Sequence, residues 1–512
     1  MNPLIPLFVA VPLAGAFLTM IFGKFVKNLN RYIGLIVLLF LAIISYYSIV
    51  TVSGTVSVYK VGGWEPINGI PIGIYMVMDS LTAILLCIIN TIGLLAVFYS
   101  FTYISQYTSE NYFYALFCLM VAGMNGVVLS GDLFNIYVFL EISAISSYAL
   151  VAFGVEREQL EATFKYQVLG GLASLLILLG IGFIYWKAKT LNLADIKVAL
   201  GSAPEKIHYL LVQMLLLSGF GLKAAIIPFH AWLPDAHSSA PSPISAMLSG
   251  VLIKAAGIYV ILRLFFNMFI ISEEVAILIT TLGALSMAVG VFLAIGQWDI
   301  KRLLAYHSIS QMGYVVMSVG VGMILVARNT KPEVASLAIA GGLFHLINHA
   351  AFKSLLFLNA GAIEYRIGTR NLQEMGGLSQ LMPATSSTSF VASMAISGIP
   401  PFNGFFSKLI IIIAAIMAKF YLLALIAVIV SIITLASFMK FQRYAFYNKE
   451  VQKDEKSPKE VPFPMVASMV TLGILCLLLS LLVLPQVRDI VLKPAIDILM
   501  NSQMYISPIL GM

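Results

Sequence analysis

The stretch from Gly221 to Tyr259 reads GLKAAIIPFHAWLPDAHSSAPSPISAMLSGVLIKAAGIY. It starts in one long apolar run and ends in another. The join between them holds His230, Trp232, Asp235, His237 and four prolines. Lys223 lies inside the first run and Lys254 in the middle of the second. A charged amine in hydrocarbon costs at least ~2.5–3.5 kcal/mol, so an intramembrane lysine is a functional candidate by default.

The whole chain reads the same way. Of 512 residues, 60% are hydrophobic and 10% are charged, far below the ~25% charged residues of soluble domains. The fold class is therefore an all-α polytopic membrane protein. The short alternating segments of a transmembrane barrel are absent. The net charge of +7 comes from basic residues scattered through short loops, which argues against nucleic acid as a partner. Cys87, Cys118 and Cys476 lie in apolar runs without a CxxC pair, so neither a disulfide framework nor a metal or iron–sulfur site is expected. No cofactor is expected on this chain. The first apolar run, 3–23, lacks a basic n-region and a cleavage site, and reads as a retained spanning helix.

Counting runs of about 20 apolar residues gives about fourteen spans, at roughly 3–23, 31–52, 77–101, 111–130, 132–154, 161–187, 209–233, 242–266, 273–297, 301–326, 334–361, 383–418, 420–446 and 463–485. The seventh is interrupted near Pro228, and the twelfth holds Gly398-Ile399-Pro400-Pro401. Irregular backbone at membrane depth is tolerated only when it is buried in protein or lines a wet cavity. Two interrupted helices five spans apart, each with a lysine beside the break (Lys223 and Lys408), point to two inverted five-helix repeats. The expected organisation is helices one to three over 1–110, a first repeat over 111–266, a second over 273–446, and the last helix with a tail over 463–512. A narrow excess of Lys and Arg in the odd-numbered loops, including Lys24, Lys27 and the 449–460 loop, puts those loops in the cytoplasm and both termini outside the cell membrane.

Six further basic residues fall within helices, all of them lysine: Lys165, Lys223, Lys254, Lys353, Lys408 and Lys440. Lysine can lose its proton when desolvated, whereas arginine effectively cannot. Lys165 and Lys440 sit near helix ends, where snorkelling to the interface explains them. Glu141, midway along the fifth span, reads as the only carboxylate deep in the bilayer. It is either a structural partner for a lysine or half of a charge switch. His345, His349 and Lys353 share one helix face, over about 12 Å at 1.5 Å per residue. Imidazole can take a proton on one nitrogen and release one from the other, which suits proton passage. Metal ligation and polar helix packing are the rival readings. No HExxH is present and no third ligand is near in sequence. His230, His237 and Asp235 either line a proton access route or cap the broken helix. Trp298 to Arg302 reads as a charged hinge, with His307 just beyond. Trp232 and Trp298 fit an interfacial aromatic belt. Nothing resembles a soluble active site: nucleotide-binding and hydrolase motifs are absent, and Ser238-Ser239 with His237 lacks an acid partner.

Six ordered segments carry a resemblance: GDLFNIYVFLE, FKYQVLG, LKAAIIPFHAWLPDAH, WDIKRLLAYHSISQMGY, HLINHAAFKSLLFLNAG and GIPPFNGFFSKL. Together they resemble the antiporter-like proton-translocating subunits of the complex I/Mrp superfamily. The likeness is greatest to the Mrp D-type component and its counterpart in membrane-bound hydrogenases. The resemblance implies a proton path along the membrane midplane, with Glu141 and Lys223 as the ion pair and Lys254 as the central relay. It places His349, Lys353 and Lys408 at the connecting and exit positions, where some relatives carry glutamate for Lys408. It also implies a hetero-oligomeric complex whose other membrane subunits link this chain to a peripheral redox module, in a hydrogenase-type assembly coupling redox chemistry to H+/Na+ translocation. The alternatives are an Mrp-type Na+/H+ antiporter, or a structural arm of a sulfur-reducing or NADH/quinone complex. With Glu141 nearly alone as a buried carboxylate, protons rather than sodium are expected here.

Overall fold

The structure is a computed structural model that describes residues 3–23, 25–26, 28–64, 71, 73–107, 110–201, 206–447 and 459–511. Lys24, Lys27 and most of the 449–460 loop, on which the orientation reading leaned, lie outside the described residues.

The chain is a helical bundle. Its helices are α1 (Leu7–Phe22), α2 (Leu29–Thr51), α3 (Ser80–Tyr103), α4 (Glu110–Leu129), α5 (Leu133–Val151), α6 (Arg157–Ala188), α7 (Leu193–Gly201), α8 (Lys206–Lys223) and α9 (Trp232–Ser239). They continue with α10 (Ser242–Met268), α11 (Glu273–Ile295), α12 (Ile300–Ala327), α13 (Pro332–Ile367), α14 (Pro383–Ser397), α15 (Asn403–Met417), α16 (Tyr421–Tyr447), α17 (Phe463–Val483), α18 (Pro485–Met500) and α19 (Ser502–Leu510). Among the described residues, 11 helices are long and apolar enough to cross a membrane. A hairpin, β1 (Ser57–Lys60) against β2 (Tyr75–Met78), lies between α2 and α3.

Helix starts follow ordinary capping chemistry. The carboxylates of Asp79, Asp132 and Asp299 accept from the backbone N–H groups of Thr82, Asn135 and Arg302, each satisfying a donor the first turn leaves free. The outer helices α1, α2, α6, α16 and α17 leave large apolar side chains exposed, such as Phe17, Ile36, Phe164, Ile432 and Ile474. An outer surface of this kind faces hydrocarbon. The centre is different: α10, α12 and α13 are buried almost all round, and the lysines and histidines sit there. Along α10 the hydrogen bonding widens to π-type turns over Leu248–Leu252, Lys254–Tyr259 and Arg263–Met268, a local irregularity common at functional sites.

Both expected interruptions are present. Between α8 and α9 the backbone leaves the helix over 224–231, with Ala225 in the left-handed region at φ 54°. Between α14 and α15 it does so over 398–402. Each break is pressed against neighbouring backbone at a glycine. A Cβ on Gly257 of α10 would lie 2.5 Å from Ala224 Cβ, and one on Gly404 would overlap the Ala395 carbonyl oxygen.

Three readings need correction. Basic residues within spans are not all lysine: Arg263 of α10 is 2% exposed and pairs with the fully buried Asp79 at 2.5 Å. Glu141 is therefore not alone as a carboxylate buried among spanning helices. Trp232 does not belong to an interfacial belt: it is 1% exposed and stacks on Tyr166 at 4.3 Å. Lys440 donates its amine to the Ile295 and Gln297 carbonyls at 2.7 Å each and so satisfies the end of α11.

Candidate functional site

Glu141 projects from α5 and Lys223 is the last residue of α8. Lys223 Nζ lies 3.6 Å from Glu141 Oε1, an ion pair just beyond hydrogen-bond contact. Lys223 has no hydrogen-bond partner among the described residues. A third group comes from α6: the Ser174 hydroxyl donates to Glu141 Oε1. The break beyond Lys223 is internally satisfied, as membrane burial requires. Ile227 N donates to Ser286 Oγ of α11 at 2.9 Å, and Trp232 Nε1 donates to the Leu222 carbonyl at 2.9 Å.

The second group centres on α10 and α13. Lys254 Nζ donates to the Ser249 carbonyl at 2.7 Å, and Ser249 Oγ meets Ser308 Oγ of α12 at 2.7 Å. Lys254 lies within electrostatic range of Lys353, His349, His345 and His237. His237, His349 and Lys353 are fully buried, and neither ring nitrogen of either histidine nor Lys353 Nζ has a hydrogen-bond partner among the described residues. His237 and Lys353 approach the Phe357 ring at 5.6 and 5.7 Å. Buried polar atoms left like this are costly unless water reaches them. Lys223 connects to this group through backbone: the residue after it, Ala224, rests on Gly257, less than a turn beyond Lys254.

The third group lies between α12, α13 and the second break. His345 Nδ1 meets Ser407 Oγ at 2.9 Å and its Nε2 meets Gln311 Oε1 at 3.1 Å. Lys408 Nζ donates to the Ile396 carbonyl at 2.8 Å, sits 3.4 Å from Ser431 Oγ, and lies 4.9 Å from the centre of the Tyr314 ring. Tyr314 in turn packs on His345 at 5.6 Å. His307 binds Ser437 Oγ at 2.8 Å through Nε2 and lies within range of both Lys353 and Lys408.

The structure thus gathers Lys254, His237, His307, His345, His349, Lys353 and Lys408, with Glu141 and Lys223 against one side. It leaves out the other access candidates. His230 is half-exposed, its Nδ1 3.4 Å from the Pro228 carbonyl. Asp235 is held by Lys165 at 2.9 Å and Arg302 at 2.7 Å, and Lys165 also pairs with Glu161. Burial pushes the Asp235 carboxyl up, but hydrogen bonds from Lys165 and Arg302 outweigh this and hold it below the ordinary carboxylate range. Among the described residues no group of His, Cys, Asp and Glu could hold a metal ion. Ser174, Gln311 and Tyr314 were not read from sequence. A serine in an apolar helix ordinarily bonds its own helix, as Ser174 also does to Gly170, so nothing in the pattern singles it out.

Fold and site define a polytopic membrane protein with two interrupted helices around a buried line of ionisable groups. Residues 130–434 match the family described as NADH:quinone oxidoreductase/Mrp antiporter, transmembrane. The chain is 34% identical to the D-type component of the Na+/H+ antiporter of Alkalihalophilus pseudofirmus, over 92% of this chain and 94% of that protein. It superimposes on a chain of the Mrp complex from Dietzia sp. DQ12-45-1b with a TM-score of 0.89 at 27% identity, covering all of both chains. It also matches a chain of the membrane-bound sulfane sulfur reductase, an archaeal respiratory membrane complex, with a TM-score of 0.87 at 27% identity over 98% of this chain and 99% of that one. The chain belongs to the NADH:quinone oxidoreductase/Mrp antiporter family, as an antiporter-like membrane subunit.

Proposed function

We propose that this chain moves protons through the membrane as one subunit of a multi-subunit complex. The observation that carries the reading is the series of buried ionisable side chains on α10, α12, α13 and α15, with one lysine beside each break. An event in a neighbouring subunit alters the Glu141–Lys223 contact, and withdrawing the carboxylate disfavours the charged amine. The proton released there passes through Lys254, His349 and Lys353, with His237 and His307 beside the route, and leaves by way of His345 and Lys408. Each histidine accepts on one nitrogen and releases from the other. The chain itself makes and breaks bonds only to hydrogen, and needs no cofactor for this.

The shorter apolar helices Leu7–Phe22, Tyr209–Lys223 and Asn403–Met417, the last two each joined to the other half of a broken span, complete a set of fourteen. Spans four to eight and nine to thirteen then form two inverted repeats with corresponding breaks. The complex sits in the cell membrane, with both termini outside.

For the parent complex, the end-to-end likeness to the D-type component of a Na+/H+ antiporter supports sodium–proton exchange as the driving chemistry. The equally full-length likeness to a chain of a respiratory sulfur-reducing complex supports a second reading, in which a peripheral redox module of that or hydrogenase type drives the same relay. Both readings place sodium on other subunits.

The test uses the complex purified with its own partner subunits and returned to vesicles. Lys353→Ala is expected to abolish coupled proton movement, and Lys223→Ala to slow it strongly but measurably, while the complex still assembles. Wild-type pumping by either variant would refute the mechanism. Subunit composition distinguishes the two parent complexes.

A further inference from the structure

One face of the bundle carries the starts of α6 and α12 and the end of α13. On that face lies a polar cavity of about 390 Å³. Glu364, Lys301, Asp299, Arg370, Glu158 and Tyr107 help to line it. None of these belongs to the relay, yet Glu364 stands on the relay's own helix.

Counting along α13, Lys353, Phe357, Gly361 and Glu364 follow at helical spacing on one face. Glu364 is therefore about 16 Å from Lys353 along the axis. Lys301 Nζ pairs with Glu364 Oε2 at 2.8 Å and also donates to the Ala240 carbonyl at 3.2 Å. Lys301 is 2% exposed although its partner borders the cavity. Between Glu364 and Lys353 the helix shows Gly361, and hydroxyls crowd the space that a side chain there would fill. A Cβ on Gly361 would meet Ser242 Oγ at 2.6 Å and Tyr99 Oη at 2.9 Å.

Tyr99 belongs to a line of hydroxyls on α3 and its end. Tyr99, Tyr103 and Tyr107 are spaced four residues apart, with ring centroids 5.6 and 6.4 Å from one to the next. Tyr107 lines the cavity. Tyr103 Oη donates to Ser242 Oγ at 3.4 Å, and Tyr99 Oη donates to the Leu358 carbonyl at 2.9 Å. All three lie within electrostatic range of Glu364. Ser242 begins α10, five residues after His237, and Ser245 Oγ ties that turn together by donating to the His237 carbonyl at 2.8 Å. The hydroxyls thus begin at the cavity and end at Ser242, on the turn whose other end carries His237; the His237 imidazole and the Lys353 amine, neither with a hydrogen-bond partner among the described residues, meet at Phe357.

We propose that the Lys301–Glu364 pair is the mouth through which protons reach the relay, and that the hydroxyls of Tyr103 and Ser242 carry them inward. Glu364 takes a proton from hydronium in the cavity and releases water, while Lys301 keeps its charge. Each hydroxyl then accepts a proton on oxygen and passes on the hydrogen it held, so neither changes charge after a cycle. His237 receives the proton and hands it to the Lys254–Lys353 group. The proposal rests on the reading that this chain translocates protons.

The competing account makes the same residues a clamp that staples α12 and α13 to the α9–α10 turn. The two differ in a measurable way. Four variants of the assembled complex in vesicles are compared across pH with a fluorescent pH probe: Glu364→Gln, Glu364→Asp, Tyr103→Phe and Lys353→Ala. The groups facing Glu364 are Lys301 from α12, Arg370 from the turn after α13, and Tyr99, Tyr103 and Tyr107 from α3 and its end. Because all of these except the substituted hydroxyl remain, Tyr103→Phe keeps the packing and removes only the proton carrier. The expected result is a loss of at least about fivefold for Glu364→Gln and Tyr103→Phe per assembled complex, growing as pH rises and hydronium becomes scarce. Glu364→Asp restores most of the rate. Should Glu364→Gln fail to assemble, Tyr103→Phe alone decides. Rates within twofold of wild type at every pH for Tyr103→Phe, with Lys353→Ala inactive, would overturn the mouth and leave the relay standing. Wild-type rates in Lys353→Ala would remove the relay itself, and the mouth with it.

Discussion

Glu141→Gln removes one charge from the pair at 3.6 Å and leaves the shape almost unchanged. At an effective dielectric of about 20, two unit charges at that separation attract by about 4–5 kcal/mol. The Glu141 side chain is 28% exposed, and solvent there trims the figure to about 2–4 kcal/mol. Ser174 still finds an acceptor in the amide oxygen, so the loss falls on Lys223. If the energy of this contact is what the neighbouring subunit modulates, losing about 2 kcal/mol slows coupled turnover at least ~30-fold. The assay is coupled proton movement by the assembled complex in vesicles, scaled to the amount of assembled complex. A double-mutant cycle with Lys223→Ala supplies the decisive comparison. Residues acting as one unit give a double variant no slower than the worse single one. Losses that multiply would mean that Glu141 and Lys223 act independently, and the charge-switch argument would fall.

Three further outcomes follow from the packing. Asp79→Asn breaks the buried pair with Arg263, which also holds Tyr259, Asn267 and Thr82 through its guanidinium; leaving that charge uncompensated costs about 3–5 kcal/mol, read as a lower melting temperature of the detergent-solubilised complex. Gly404→Ala forces a methyl group into the Ala395 carbonyl and, as overpacking, costs about 1–3 kcal/mol, expected to appear as reduced yield together with impaired transport because Lys408 lies one turn away. Asp235 is held below its ordinary range by Lys165 and Arg302, so its contribution to stability is present above about pH 4 and is lost as pH falls through the depressed folded value; Asp235→Asn should flatten the acid limb of a melting-temperature titration and leave the neutral region lower throughout.

What could be read from the sequence was whatever is expensive to bury and has no cheap excuse. Lys223, Lys254, Lys353 and Lys408 stand in apolar runs far from any loop, and Pro228 and Pro400-Pro401 cannot continue a helix. Arg263 escaped because it stands near the end of its span, where a long cation reads as reaching for the interface. Its partner Asp79 caps α3, at the very start of an apolar run. Glu364 escaped for the same reason, at the end of α13 beside Arg366 and Arg370. Trp232 was misplaced because a tryptophan next to a polar loop has the pattern of an interfacial anchor. Only the packing shows that its indole N–H donates to the Leu222 carbonyl, which the Ala225 N–H also reaches.

The Gly221–Tyr259 stretch also shows why the join between the two spans has to be polar as well as bent. Interrupting α8 frees backbone groups that hydrocarbon cannot satisfy. Ser286 accepts from the Ile227 N–H, Trp232 adds a second donor to the Leu222 carbonyl, and Asp235 anchors the turn to α6 and α12 through Lys165 and Arg302. The anchored turn delivers His237, seven residues after the half-exposed His230, into the centre of the bundle. That separates two residues the spacing left together. Of the two histidines, His230 stays at the outer edge of the break, while His237 is buried among the lysines with both nitrogens unpartnered among the described residues. A residue needed only to hold the break would use its nitrogens to satisfy backbone, as Trp232 does. His237→Asn offers polar atoms of similar reach but cannot relay a proton. It should therefore keep the break folded and still slow proton movement, whereas a purely structural His237 would tolerate it.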